Sequence, residues 1–244
     1  MIYLFIFLTP VINFILFEAF FFRAGLFYAA VGASILLLLI AVRRITGKKI
    51  TTIEFWNYSI FPILFSGSLA AYSLLIVNHF IIHFLFVVCL VFNYFYLKNI
   101  YRGGNIVFLE SISSYGNLLT VFFSFAVIYG LESFLGLPIW ILVLCSAAVV
   151  TLVVYQIFWA NKIKENVLAY SLLTGLLATE IIWSIYFLPF NFNTLGLLAV
   201  ICYYLMIGFI KLSLAEKLTA RNIKFYLVAG SVFLILVLLT AKWA

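Results

Sequence analysis

The sequence predicts an all-α fold, a polytopic integral membrane bundle of nine transmembrane helices forming one domain over residues 1–244. Three observations predict it. Of the residues, 68% are hydrophobic and 9% charged, against roughly 45–50% and about 25% in a soluble domain. Broken at its charges, prolines, glycines and asparagines, the chain falls into nine apolar runs. Each approaches the ~20 residues that cross a bilayer core of ~30 Å. The basic residues, finally, collect in alternate connections. Too few polar side chains remain to clothe a water-facing surface, whereas a lipid-facing one can be apolar all round.

The runs follow in order. Helix 1 spans 2–22 and carries Asn13 and Glu18. It has no basic n-region and no small-residue cleavage site after it, so it is expected to stay in the protein. A tight turn at Phe22–Gly25 leads to helix 2, 24–42, with the small residues Gly25, Ala29 and Ala33 on one face. If 1–42 were a single broken segment, the count would fall to eight. Helix 3, 59–78, follows Trp56 and carries Ser66, Gly67, Ala70 and Ala71; helix 4, 79–97, opens with His79 and His83. Helix 5, 112–135, has Gly116, Thr120 and Ser124 in register and Glu132 near its end, and helix 6, 138–159, lies between Trp140 and Trp159. Helix 7, 167–188, aligns Ser171, Gly175 and Thr179 and holds Glu180 and Trp183. Helices 8 and 9 cover 195–213 and 224–241, with Trp243 just beyond. Small residues four apart let helix backbones approach where lipid supplies no hydrophobic drive. Most of the tryptophans stand at run ends, where interface anchors belong.

Orientation follows from the connections. Those after helices 2, 4, 6 and 8 hold Arg43, Arg44, Lys48, Lys49, Lys98, Arg102, Lys162, Lys164, Lys211, Lys217, Arg221 and Lys224, twelve of the fourteen basic residues. Arg23 and Lys242 fall on the other side. Lys- and Arg-rich short loops stay in the cytoplasm, so the N-terminus is expected there, the C-terminus outside, and the protein in a bacterial plasma membrane. This placement accounts for the +7 net charge without a nucleic-acid partner; membrane lipids and other membrane subunits, or a second copy, are the expected neighbours. Cys89, Cys145 and Cys202 are far apart, each inside an apolar run, and read as packing residues.

A faint internal repeat accompanies the helices. Ser66–Ala70 resembles Thr174–Ala178, and Phe17–Phe20 with Gly25 echoes Leu131–Phe134 with Gly136. These matches suggest that helices 1–4 and 5–8 are parallel repeats, with Gly67 equivalent to Gly175.

Ionisable residues inside a bilayer are costly and so are functional candidates. Glu180 is the deepest, about 20 Å from the cytoplasmic face by the helical rise. Glu18 and Glu132 lie about a turn inside the outer ends of helices 1 and 5, and His79 and His83 are one turn apart on one face of helix 4. Together they suggest an outward-facing polar vestibule with Glu180 at its base, its carboxylate pointing into the bundle. Arg23 is a candidate partner for Glu18 or Glu132. The bland alternatives are interface residues and a packing hydrogen bond. The two histidines have metal-ligand spacing but no H-E-x-x-H, so no metal site is assigned. No catalytic residue or cofactor site is assigned either. The chain has no Asp, so the Asp-rich Mg²⁺-diphosphate motifs of intramembrane prenyl transferases are absent. It also lacks G-x-S-x-G and any phosphate-cradling Gly-rich loop. Three functions stay open: a small carrier or channel, a non-catalytic membrane subunit or scaffold, and, less favoured, an enzyme acting on a lipid.

Overall fold

The computed structural model describes residues 2–102, 106–160, 166–214 and 218–241, with backbone only for 2 and 106–114. Among the described residues there are nine α-helices and no strand: α1 Ile2–Phe22, α2 Phe27–Thr46, α3 Ile53–Ser73, α4 His79–Tyr101, α5 Ile106–Leu135, α6 Ile139–Ala160, α7 Val167–Tyr186, α8 Phe192–Leu214 and α9 Ala220–Thr240. The turn between α1 and α2 is real. A single 3₁₀ turn, Ala24–Leu26, joins them, and the two helices pack on each other. Lys162, Lys164, Lys217, Lys242 and Trp243 lie outside the described residues.

Eight of the helices are long and apolar enough to cross a membrane; α3 is the ninth. It has 21 residues, about 31 Å at 1.5 Å each, so its length suffices. Its lower hydropathy has a structural cause. Eleven of its residues are buried, Asn57, Ser59, Ser66 and Ser73 among them, and a helix enclosed by other helices need not be apolar toward lipid. Those polar residues also explain why the run expected at 59–78 is observed at Ile53–Ser73. Glu54 and Asn57, which look like loop residues, belong to the first two turns of the helix.

Helix ends follow ordinary capping chemistry. Gly47 ends α2 at φ +65° and Gly136 follows α5 at φ +61°, the left-handed conformation that glycine adopts without a Cβ clash. Gly47 N–H donates to the Arg43 carbonyl, so α2 runs one turn past the expected 42 and carries both arginines in its last turn. The Asn78 side chain accepts from the amides of Phe80 and Ile81 at 3.0 and 3.4 Å, fixing the start of α4.

The chain forms two compact units, Met1–Thr120 with Trp159–Asn161, and Val121–Phe158 with Lys162–Ala244. In the first, α1 packs on α2 and α4, α2 on α3, and α3 on α4. Ile6, Ala41, Val42, Phe55 and Leu97 form one buried cluster, bringing the N-terminal ends of α1 and α3 to the C-terminal ends of α2 and α4. That is the end where Arg43, Arg44, Lys98 and Arg102 lie. Pro62 inside α3 has no N–H for the Tyr58 carbonyl one turn back. Tyr96 of α4 supplies the missing donor, its hydroxyl 2.9 Å from that oxygen.

In the second unit α7 packs on α8 and α8 on α9. A methyl at Gly196 would stand 3.1–3.3 Å from Ala126, and one at Gly175 would meet Thr151 of α6. These glycines are small because another helix needs the space. Gly67, the expected counterpart of Gly175, faces open space instead. α9 buries only Gly230.

Candidate functional site

Every fourth or third residue of α1 faces inward: Ile6, Thr9, Asn13, Phe17 and Phe20 are all buried. On α4 the inward row is Ile82, Phe86, Cys89, Asn93 and Leu97. Glu18 and His83 each stand one residue beside these rows, hence at the edge of the α1–α4 seam. They meet there, Glu18 Oε1 lying 2.8 Å from His83 Nδ1. A carboxylate only accepts, so His83 donates its Nδ1–H. Phe21 sits against both imidazoles, with ring centroids 4.7 Å from His83 and 5.2 Å from His79. The structure thus gathers three of the expected residues at the end away from the basic turns. Arg23 forms no ion pair with either expected glutamate among the described residues.

Beneath this pair Phe17, Phe20 and Phe86 pack ring on ring at 5.4–5.8 Å. Below them lies a polar cluster that no single run of the sequence announces. Ser66 Oγ of α3 accepts from Asn93 Nδ2 at 2.9 Å and from Asn13 Nδ2 at 3.5 Å. Cys89 Sγ stands 3.5 Å from the same hydroxyl and 3.3 Å from Asn93 Nδ2. All four are at most 2% exposed. By the helical rise, Asn13 and Asn93 lie about 12–16 Å from the basic ends of their helices, near the centre of a ~30 Å core.

The cluster is short of donors. One hydroxyl and one thiol hydrogen cannot serve two amide oxygens and each other, and the oxygens Asn13 Oδ1 and Asn93 Oδ1 have no partner. Turning either amide over trades an unpartnered oxygen for an unpartnered NH₂. Thr9 Oγ1, one turn along α1 toward the basic end, is also unpartnered, as are Asn57 Nδ2, Asn99 Nδ2 and Ser34 Oγ. Of the seven such buried atoms among the described residues, six belong to the first unit. The faint signal was polar residues inside the apolar runs 1, 3 and 4.

The other expected residues lie elsewhere. Glu132 of α5 accepts from the Tyr186 hydroxyl of α7 at 2.8 Å, and the Tyr129 hydroxyl donates to the Ile182 carbonyl at 2.9 Å. Both ties are within the second unit. Glu180 is exposed, which corrects the expectation that it points into the bundle. α7 buries Ser171, Thr174, Gly175, Ala178, Thr179, Ile182 and Ile185. Glu180 is two residues from Ala178 and from Ile182, about 200° round the helix, so its carboxylate leaves on the opposite side. No group of three His, Cys or Glu side chains able to hold a metal occurs among the described residues.

On the basic side, Lys48 of the α2–α3 turn pairs with Glu54. That hydrogen bond and charge raise the Lys48 pKa above its usual value.

Packed apolar helices around a polar interior make this a multi-pass helical membrane protein. It belongs to the family described as Protein of unknown function (DUF5656), whose profile matches residues 10–240. No curated protein and no solved structure matches the chain.

Proposed function

We propose that this protein is a small carrier of a monovalent cation, with the first unit as its translocating element. Glu18 and His83 form the mouth, and Asn13, Ser66 and Asn93 form the midplane site. With the basic turns in the cytoplasm, the mouth opens outward from a bacterial plasma membrane. One observation carries this reading: four unpartnered buried oxygens among the described residues of the first unit, Asn13 Oδ1, Asn93 Oδ1, Thr9 Oγ1 and Ser34 Oγ. In hydrocarbon each such atom costs several kcal/mol unless something satisfies it. Two amide oxygens beside a hydroxyl are hard-cation ligands. With no carboxylate in the cluster itself, they suit a single charge better than a double one.

Cation binding at this site stabilises the fold, by about 2.7 kcal/mol at a hundredfold excess over Kd. Unfolding of the purified protein, measured in Na⁺, K⁺ and Li⁺ against a bulky organic cation, should show that gain for one alkali ion in the wild type and lose it in Asn93→Leu. Equal unfolding of the wild type in all four salts sinks the proposal.

A second reading, a membrane subunit, is favoured by the outward face of α7. Leu173, Leu177, Glu180, Ser184 and Phe187 follow one another at four- and three-residue steps, all exposed, as in a coiled-coil seam. A depression of about 460 Å³ surrounds Glu180 and Ser184. A charged side chain left facing lipid costs at least ~2.5–3.5 kcal/mol, so the fitting occupant is a transmembrane helix of another protein that brings Lys or Arg to this depth. A photo-crosslinking residue at Leu177 should then give a discrete adduct with such a protein. Adducts with lipid alone would remove this reading.

A further inference from the structure

At the opposite end of the α1–α4 seam from Glu18 and His83, the same two helices enclose a cavity of about 360 Å³. Lys98 of α4 and Arg102, which caps its C-terminal end, line it together with Tyr3, Tyr94 and Tyr101. Neither cation is in an ion pair among the described residues. Lys98 Nζ lies 5.3 Å from the centre of the Tyr94 ring, and Tyr3 meets Tyr101 edge-on at 4.8 Å. These contacts shape the tyrosine walls and leave the cationic hydrogens free to bind an anion. Ile6 and Phe7 of α1 supply the apolar part of the lining.

We infer that this cavity binds an anionic phosphate group, carried by the headgroup of a membrane lipid. Two cations and the Tyr94 and Tyr3 hydroxyls offer hydrogen bonds to phosphate oxygens, while the Tyr101 hydroxyl is bonded to Tyr3. The level is right as well, because these residues end α4 at the basic turn, where one leaflet's headgroups lie and where tyrosines collect. Phe7 and Tyr3 are 63% and 72% exposed, so the apolar side of the cavity is open to the acyl chains of a seated lipid. A basic pocket between helix ends on the basic side is a physical match for such a headgroup. The site is separate from the proposed cation path and does not depend on it.

The test is native mass spectrometry of the full chain released from micelles containing phosphatidylglycerol or phosphatidylcholine. Phosphatidylglycerol should remain bound to the wild type and phosphatidylcholine should not. Each cation contributes roughly fivefold to such binding, so Lys98→Gln with Arg102→Gln should weaken it about 25-fold. Lys98→Arg with Arg102→Lys should retain it, which keeps the test valid if the neutral pair folds poorly. Arg44→Gln with Lys49→Gln, in the neighbouring basic turn, should leave it unchanged. Equal retention of both lipids, or full retention by the neutral pair, overturns the inference. Displacement of bound lipid by inorganic phosphate alone would assign the site to a soluble phosphate and overturn its lipid half.

Discussion

The interior of the first unit and the outer surface of α9 are built by opposite rules. Around α3, asparagines, serines and a tyrosine hydroxyl are sealed among helices. Along α9, 21 residues bury a single glycine and present leucine, valine and phenylalanine outward. α9 is the easier helix to find in the sequence and has fewer ties to the rest. Between these two helices, the less apolar one carries the interior polar ties and the more apolar one meets the lipid. α7 shows the same inversion within one helix, with small and hydroxyl residues inside and leucines outside.

The sharpest way to break this comparison is to remove one interior tie. Tyr96→Phe removes the cross-helix donor to the Tyr58 carbonyl and should cost about 1–2 kcal/mol in denaturant unfolding from mixed micelles. Pro62→Ala restores an N–H to that carbonyl, so Tyr96→Phe should cost distinctly less in a Pro62→Ala background. An equal cost in both backgrounds would show that the proline does not govern this contact.

α9 should respond far less. Leu236→Ala, half exposed on that helix, should shift unfolding by no more than about 0.5 kcal/mol, since the separated helix meets the same lipid. A loss as large as that of Tyr96→Phe would mean that α9 is covered by something in the membrane.

How much of this was legible in the sequence depends on the kind of signal. Nine helices could be read because length and charge placement are local properties. The turn at Phe22–Gly25 was readable for the same reason. The start of α3 was misplaced because Glu54 and Asn57 look like loop residues, whereas Asn57 is buried against neighbouring helices and Glu54 pairs with Lys48. The pairing of Glu18 with His83 was half legible: depth placed both at one end, but the choice of partner is a tertiary fact. For Glu180 the small-residue stripe was visible, but it was centred too near the glutamate. With Thr174 and Ala178 added, the buried side lies opposite. Asn13, Ser66 and Asn93 were the least legible, because they lie in three different runs and only packing brings them together.

Cation flux tests the central claim most directly. Proteoliposomes holding the purified chain are given gradients of Na⁺, K⁺ and H⁺ in turn, with and without an imposed membrane potential. We predict that one of these ions crosses faster than in protein-free vesicles, that Asn93→Leu abolishes the difference and His83→Ala reduces it, and that Glu180→Gln keeps it. Flux no greater than that of protein-free vesicles, or wild-type flux through Asn93→Leu, would contradict a carrier built around the interior of the first unit.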